Sequence, residues 1–244
     1  MATRGPLRFP SQSLPFRLPF RLPFRALKTP TRRSFISLPG TEPQVLTATR
    51  ILPYKSSSLF ALIADVDSYS TFVPYCIKSK VTKWSLPDKS GKCWPSEADL
   101  KVGWGGYEET FTSRLFCVPG SIVEALSGEA TTTLPKSDLS HHSATLDGPT
   151  VANSIFTSLS TKWNVVPFHY KPPTGHLPTD NAEEAAKDRT EVHLTIEFQF
   201  ANPIYAALSK AVAPRVAGIM IEAFEAQARK QLEVSGSMLS EKSS

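Results

Sequence analysis

The sequence predicts an α+β fold in which a curved antiparallel sheet of about six or seven strands wraps around a long C-terminal helix, with two short helices after the first strand. Three stretches carry that expectation. Residues 189–200 alternate, with Val192, Leu194, Ile196, Phe198 and Phe200 on one face and His193, Thr195, Glu197 and Gln199 on the other, the period of a strand buried on one side. Residues 203–234 instead repeat at helical spacing: Tyr205, Leu208, Val212, Val216, Ile219 and Met220 share one side, while Arg215, Glu222, Glu225 and Arg229 gather on another. Consecutive elements usually lie side by side, so this helix is expected across the apolar face of that strand. Third, an alternating run at 44–51 is followed by two short helical patterns and a second alternating run from Cys76, a strand-helix-helix-strand opening.

Taken in order, the first strand ends at Pro53. Ser56 or Ser57 is placed to cap a helix carrying Leu59, Phe60, Leu62 and Ile63, and Asp65 or Asp67 to cap a second carrying Tyr69, Phe72 and Val73, which Pro74 closes. Cys76 to Leu86 resumes as a strand, and Pro87 to Gly91 is a turn. Between Ser96 and Glu129 three strands follow, divided by Gly105-Gly106 and Pro119-Gly120. On the first of them Ala98, Leu100, Val102 and Trp104 share a face. On the second the shared face is mixed, Tyr107, Glu109, Phe111, Ser113 and Leu115. A carboxylate and a hydroxyl in an inward row point to a cavity or a partly wet sheet face. Gly103, Gly105, Gly106 and Thr161, small or polar where a solid core wants bulk, favour the same cavity.

Ser158 to Pro167 sets Leu159, Thr161, Trp163 and Val165 on one face of a further strand. The stretches 128–145, rich in Ser, Thr and Asp and containing His141-His142, and 171–188 read as surface insertions. Pro214 predicts a kink or restart, with itself at the first position of the longer helical segment. Ile221, Phe224 and Ala228 widen the apolar arc of that segment beyond one core-facing side, and Ile221 and Phe224 are expected to flank the cavity mouth and meet lipid.

The chain has 244 residues, 41% of them hydrophobic, which suits one globular domain with an appendage. Its formal charge of +5 is unevenly spread. Residues 1–41 hold Arg4, Arg8, Arg17, Arg21, Arg25, Lys28, Arg32 and Arg33 and no acid, so the remainder carries 19 basic residues against 22 acidic ones, a formal −3. Basic charge confined to the tail gives no reason to expect a nucleic-acid partner. The tail repeats Pro-Phe-Arg three times from Pro15 and has the acid-free, Arg-rich, Ser/Thr-containing composition of an organelle import presequence, with Arg33-Ser34-Phe35 a candidate processing context. The expected organisation is a largely disordered Arg/Pro-rich mitochondrial presequence over 1–41, a domain over 42–236, and a disordered tail over 237–244. No window offers the roughly 18 uncharged apolar residues that a membrane span needs. Cys76, Cys93 and Cys117 have no CxxC spacing and read as three small buried thiols.

None of the strong reaction signatures, GxSxG, GxGxxG, P-loop or HExxH, is present. Neither a metal site nor a catalytic cofactor is expected from the five histidines. Glu108 and Glu109 point to opposite faces of a strand and cannot act together. Glu109 alone is the inward acid to watch, as a hydrogen-bond acceptor, a base, or a cross-strand partner of a basic residue.

The stretch Asp65-Val66-Asp67-Ser68-Tyr69-Ser70-Thr71-Phe72-Val73-Pro74-Tyr75-Cys76 resembles the signature of the mitochondrial coenzyme Q-binding proteins, within the START-like lipid-binding and polyketide-cyclase superfamily. Further matches follow at Val102 to Glu109, at Phe111 to Arg114, at Leu146 to Pro149, at Ile196 to Pro203 and at Ala223-Phe224-Glu225. Two departures are Thr150 to Ile155, which intervene where the family takes a short path, and Gln227, where an Arg is common.

The resemblance implies a helix-grip fold and non-catalytic binding of ubiquinone in a hydrophobic tunnel, in support of ubiquinone biosynthesis and respiratory electron transport. It implies a location on the matrix side of the mitochondrial inner membrane, in peripheral contact with that membrane and with biosynthetic or respiratory complexes. Alternatives are a cyclase or aromatase-type enzyme using the same cavity, and a ribosome-associated interaction module. The residues expected to line the tunnel are Leu62, Phe72 and Val73 from the opening helices; Trp104, Tyr107 and Phe111 from the strands around the Gly105-Gly106 turn; Trp163 and Phe198 from later strands; and Val216, Met220 and Phe224 from the long helix. Tyr107, Trp104 or Ser113 is the expected donor to the quinone head.

Overall fold

The chain divides into Met1–Ile36 and Ser37–Ser244. The computed structural model describes residues 42–104, 106–146, 155–168, 189–209 and 213–241, so the expectations for 1–41 and 171–188 lie outside the described residues. Seven strands form one antiparallel sheet: β1 (Gln44–Leu52), β2 (Cys76–Trp84), β3 (Pro95–Trp104), β4 (Tyr107–Val118), β5 (Ile122–Gly128), β6 (Phe156–Pro167) and β7 (Thr190–Phe200). Their order is β1-β7-β6-β5-β4-β3-β2, so the last strand pairs with the first and every other neighbour is a sequence neighbour. Helix α1 (Ser56–Ala64) and a 3-10 helix (Val66–Thr71) follow β1, α2 (Ser143–Leu146) follows β5, and α3 (Pro203–Ser209) and α4 (Ala213–Glu241) close the chain. This is the expected helix-grip arrangement.

The alternation of β7 is realised in full, Thr190, Val192, Leu194, Ile196, Phe198 and Phe200 all being buried. Helix α4 packs against β1, β7 and α1. Its buried stripe is Ala213, Ala217, Ile221, Phe224 and Ala228, at spacings of three and four that keep one face on the core. Three alanines in that stripe let the helix backbone approach the sheet closely.

Ile221, at 1% exposure, and Phe224, at 4%, are therefore core residues and not the lipid-facing flank of a mouth. The arc is wide because α4 faces two things, solid core from Ala217 to Ala228 along that stripe and a cavity along Ala213, Val216, Ile219 and Met220. Pro214 lies in the first turn of α4, one place later than expected, where a missing N–H costs nothing. Leu208 and Val212 have no described side chains. Met238, Leu239 and Glu241, good helix formers, continue α4 through residues expected to be a disordered tail.

The opening helices form without the expected caps. Lys55 precedes α1 with no side-chain capping bond, and Asp65 makes none to the 3-10 helix. Asp67 instead accepts the N–H of Val81 through Oδ1 at 2.7 Å, while Ser79 Oγ accepts the N–H of Ser70 at 3.0 Å. Strand β2 is an edge strand, and the 3-10 helix covers it: Asp67 satisfies the Val81 N–H, and the Ser79 side chain in turn takes an N–H of that helix.

The stretch 128–145 is not a surface insertion. Leu134 and Leu139 join Phe116 and Leu126 in a second small core on the outer face of β4 and β5, and His141 and His142 are buried beside them. The reason is local. The β3–β4 pairing ends at Glu97 opposite Arg114, so Cys117, which is paired with Val123 of β5 on its other side, has no partner in β3. His142 Nε2 lies 3.0 Å from its backbone N–H and His141 Nε2 lies 2.9 Å from its C=O, so two imidazoles complete the ladder. Cys76 and Cys117 are buried but Cys93 is exposed, because Trp94, its alternate, is the residue turned inward.

Candidate functional site

One end of the space between sheet and helix is solid and the other is hollow. At the solid end Phe224 meets Trp163, Phe72 and Tyr69, with ring centroids 4.6, 4.9 and 5.2 Å away, the last two edge to face. Leu62 on α1 belongs to this packed end. Above it opens a cavity of about 250 Å³, smaller than the roughly 300–1,000 Å³ of a drug-sized ligand site. Val216, Ile219 and Met220 of α4 form one wall. The sheet wall includes Phe111, Ser113, Ala125, Thr161 and Ile196, and Tyr69, Val73 and Tyr75 close the side between the 3-10 helix and β2.

Six of the eleven residues expected at the tunnel line this cavity: Val73, Phe111, Trp163, Phe198, Val216 and Met220. Leu62, Phe72 and Phe224 do not; they belong to the core beneath it. Tyr107 shares a strand face with Phe111 but is 52% exposed and is not among the residues that line the cavity. The side chain of Trp104 lies outside the described residues. Gly103 does not enlarge the cavity: its missing side chain faces outward, where a Cβ would stand 2.6 Å from Ile77 Cδ1. Among the wall residues the sequence did not single out, Tyr75 has a detectable anomaly, a left-handed φ of 66° that non-glycine residues rarely adopt.

Most polar groups of the wall are already engaged. Ser127 Oγ donates to the Thr112 carbonyl, and Ser113 Oγ sits 2.9 Å from Ser127 Oγ. The Tyr69 hydroxyl donates to the Ile63 carbonyl, and burial pushes its pKa well above the usual phenol range. Cys76 Sγ donates to the Lys78 carbonyl at 3.5 Å, and burial raises its pKa too. Thr161 has no hydrogen bond from its hydroxyl among the described residues. Glu109, the inward acid, lies at the mouth and not in the wall; it accepts a hydrogen bond from the Tyr205 hydroxyl at 2.6 Å, tying α3 to β4 and raising the tyrosine pKa. Its partner is thus a helix tyrosine, not a cross-strand cation. No group of three residues able to hold a metal ion occurs among the described residues.

A family model described as polyketide cyclase / dehydrase and lipid transport matches residues 52–225, a span that takes in the whole cavity wall after β1, including the part of α4 that faces it. The chain belongs to that family. Its relatives within the polyketide cyclase and lipid transport family include the Coenzyme Q-binding protein coq10, mitochondrial, of Schizosaccharomyces pombe, 36% identical over 182 residues that cover 75% of this chain and 85% of that protein. The Coenzyme Q-binding protein COQ10, mitochondrial, of Eremothecium gossypii is 29% identical over 82% of this chain and 81% of its own length. The Ribosome association toxin RatA of Pseudomonas aeruginosa is 26% identical over 75% of this chain and 92% of its own length. Among solved structures, the Zhui aromatase/cyclase of Streptomyces matches with a TM-score of 0.51 at 15% identity, covering 80% of this chain and 99% of that one. A START superfamily protein of Mycobacterium smegmatis matches with a TM-score of 0.50 at 12% identity, over 76% and 97%. These two establish the shared fold.

Proposed function

We propose that this chain binds coenzyme Q without turning it over, as a mitochondrial lipid carrier that supports ubiquinone biosynthesis and respiratory electron transport. The observation that carries the reading is the cavity itself, walled by aliphatic and aromatic side chains with a few hydroxyls and one thiol. Each buried CH₂ of a polyprenyl chain contributes about 0.8 kcal/mol, so such a wall retains an isoprenoid without any charged contact. Among the described residues neither a carboxylate nor an imidazole lines it, which favours a carrier over the cyclase reading. The names of the curated relatives point to the same ligand and to the mitochondrion, as does the presequence composition of 1–41.

The full chain, purified and extracted with organic solvent, is expected to release an isoprenoid quinone identifiable by mass spectrometry. Ala125→Leu, which pushes three carbons into the cavity from β5, is expected to abolish that recovery while keeping the circular dichroism of the parent. Repeated extraction without quinone, and no uptake from quinone-loaded vesicles, sinks the reading.

Loading requires contact with a bilayer, and the mouth supplies a surface for it on the matrix side of the inner membrane. Tyr75 and Tyr107 stand exposed there, and Ile204, 63% exposed on α3, stands beside the Tyr205–Glu109 bond. No described helix is long and apolar enough to cross a membrane, so the contact is peripheral in this reading. Replacing Tyr107 and Ile204 together with Ser is expected to reduce sedimentation with cardiolipin-containing vesicles several-fold with no change in melting temperature. Unchanged sedimentation moves the contact elsewhere.

A further inference from the structure

The cavity is short of hydrogen-bond donors, and the shortage has a direction. A hydroxyl has one proton. Ser127 spends its proton on the Thr112 carbonyl, because a carbonyl can only accept, and this leaves Ser127 Oγ as the acceptor toward Ser113. Ser113 must then donate to Ser127, and what it turns to the cavity is lone pairs alone. The same holds for the other engaged groups in the wall: the Tyr69 hydroxyl and the Cys76 thiol are both committed to backbone carbonyls. Thr161, one strand over and opposite Ala125 in β5, can donate or accept and so discriminates nothing.

Depth matters as well. Ser113 is 3% exposed and Ser127 1%, so both lie away from the protein surface. Ser113 and Thr161 lie inward of Phe111, Phe156 and Phe200, which are nearer the open end. The cavity of about 250 Å³ takes a substituted benzene ring together with the first part of its tail; with the ring among the hydroxyls, the tail runs along the apolar wall past the phenylalanines to the mouth. A quinone ring brings two carbonyls, both acceptors, to a deep end where Thr161 is the one uncommitted hydroxyl among the described residues; the other in the wall, on Tyr75, belongs to a side chain 42% exposed. A hydroquinone or phenol ring brings its own protons.

We propose that the ring of the bound isoprenoid donates a hydroxyl proton to Ser113 Oγ, so that the cavity takes the reduced, hydroquinone form in preference to the quinone. This rests on the coenzyme Q reading above and specifies which redox form the site retains. A quinone oxygen at the same place faces the Ser113 lone pairs with neither group satisfied, and an unmade hydrogen bond in a dry site is penalised more than a made one is rewarded.

The test is anaerobic calorimetric titration of the full chain with a decyl-tailed dimethoxy-methylbenzoquinone and, separately, with its chemically reduced hydroquinone. The hydroquinone is expected to bind roughly three- to tenfold more tightly. Ser113→Ala removes the acceptor and brings the two affinities together. Ser127→Ala removes the group that holds the Ser113 proton, frees Ser113 to donate, and shifts the ratio toward the quinone by strengthening quinone binding. Equal or tighter binding of the quinone by the unaltered chain overturns the inference and leaves coenzyme Q binding standing. A Ser127→Ala ratio equal to that of the parent overturns the proton assignment, and it does so even if Ser113→Ala fails to fold. Binding of neither form removes the quinone reading, and the redox preference with it.

Discussion

Phe224→Ala is expected to lower the unfolding free energy by roughly 3–5 kcal/mol, as removal of a buried phenylalanine does when its surroundings cannot collapse into the space. Phe224 is a site of that kind. Its ring is touched by Tyr69 and Phe72 from the segment after β1, and by Trp163 from β6. Tyr69 cannot follow into the gap, since its hydroxyl is bonded to the Ile63 carbonyl and that bond would be lost in a dry place. Trp163 is 2% exposed in a strand paired on both sides. Met220→Ala, on the same helix one turn earlier, is expected to cost far less, because Met220 faces the cavity and its loss enlarges a space that already exists. Urea denaturation of the two variants separates them. Similar midpoints would mean that the two stripes of α4 are energetically alike and that Phe224 is not the keystone of the solid end.

That division of α4 into two stripes marks where the sequence stopped being informative. Periodicity identified the helix, the strands and the apolar residues of each, because period two and period 3.6 are properties of the chain alone. It could not say which of two adjacent apolar stripes faces core and which faces empty space. Val216 and Met220 were placed at the cavity, but Ile221 and Phe224 were placed at a mouth that they do not reach. The distinguishing feature was present but easily passed over: the core stripe is the one with Ala217 and Ala228, small residues that are both buried.

The misreading of 128–145 has a similar cause. Polar composition suggested a wet loop, yet His141 and His142 are polar because they substitute for a missing strand at Cys117. A polar residue that satisfies buried backbone looks, in sequence, the same as one that satisfies itself with water. Ser113 was legible as an inward hydroxyl but its proton direction was not, since that depends on Ser127 in a neighbouring strand.

The paired histidines also make the domain acid-sensitive in a way that can be isolated. Burial, and secondarily the nearby His141, lowers the pKa of His142 from 6.5 to about 4. The hydrogen bonds give the reason in atomic terms. Nε2 accepts the Cys117 N–H, so the neutral ring carries its one proton on Nδ1; a second proton on Nε2 would set two donors against each other, and the buried Nδ1–H has no acceptor to stabilise the cation. In the unfolded chain the imidazole takes up its proton near pH 6.5. Between that pH and about 4 the unfolded state therefore binds more protons than the folded one, and stability falls as pH falls. The stabilisation is fully present above pH 6.5. A shift of this size is worth on the order of 3 kcal/mol once both states are considered at the acid end of the window. Glu124, whose carboxyl pKa is raised by burial, contributes with the opposite sign, which would blur a measurement on the parent alone. His142→Gln removes the ambiguity: its amide oxygen can still accept the Cys117 N–H, but it does not titrate. The variant is expected to lose much less stability than the parent between pH 7 and pH 4.5 in denaturant titrations, with every other group unchanged. Identical slopes in the two proteins would show that His142 is protonated in the folded state as readily as in the unfolded chain, and that the bond to Cys117 does not hold it neutral.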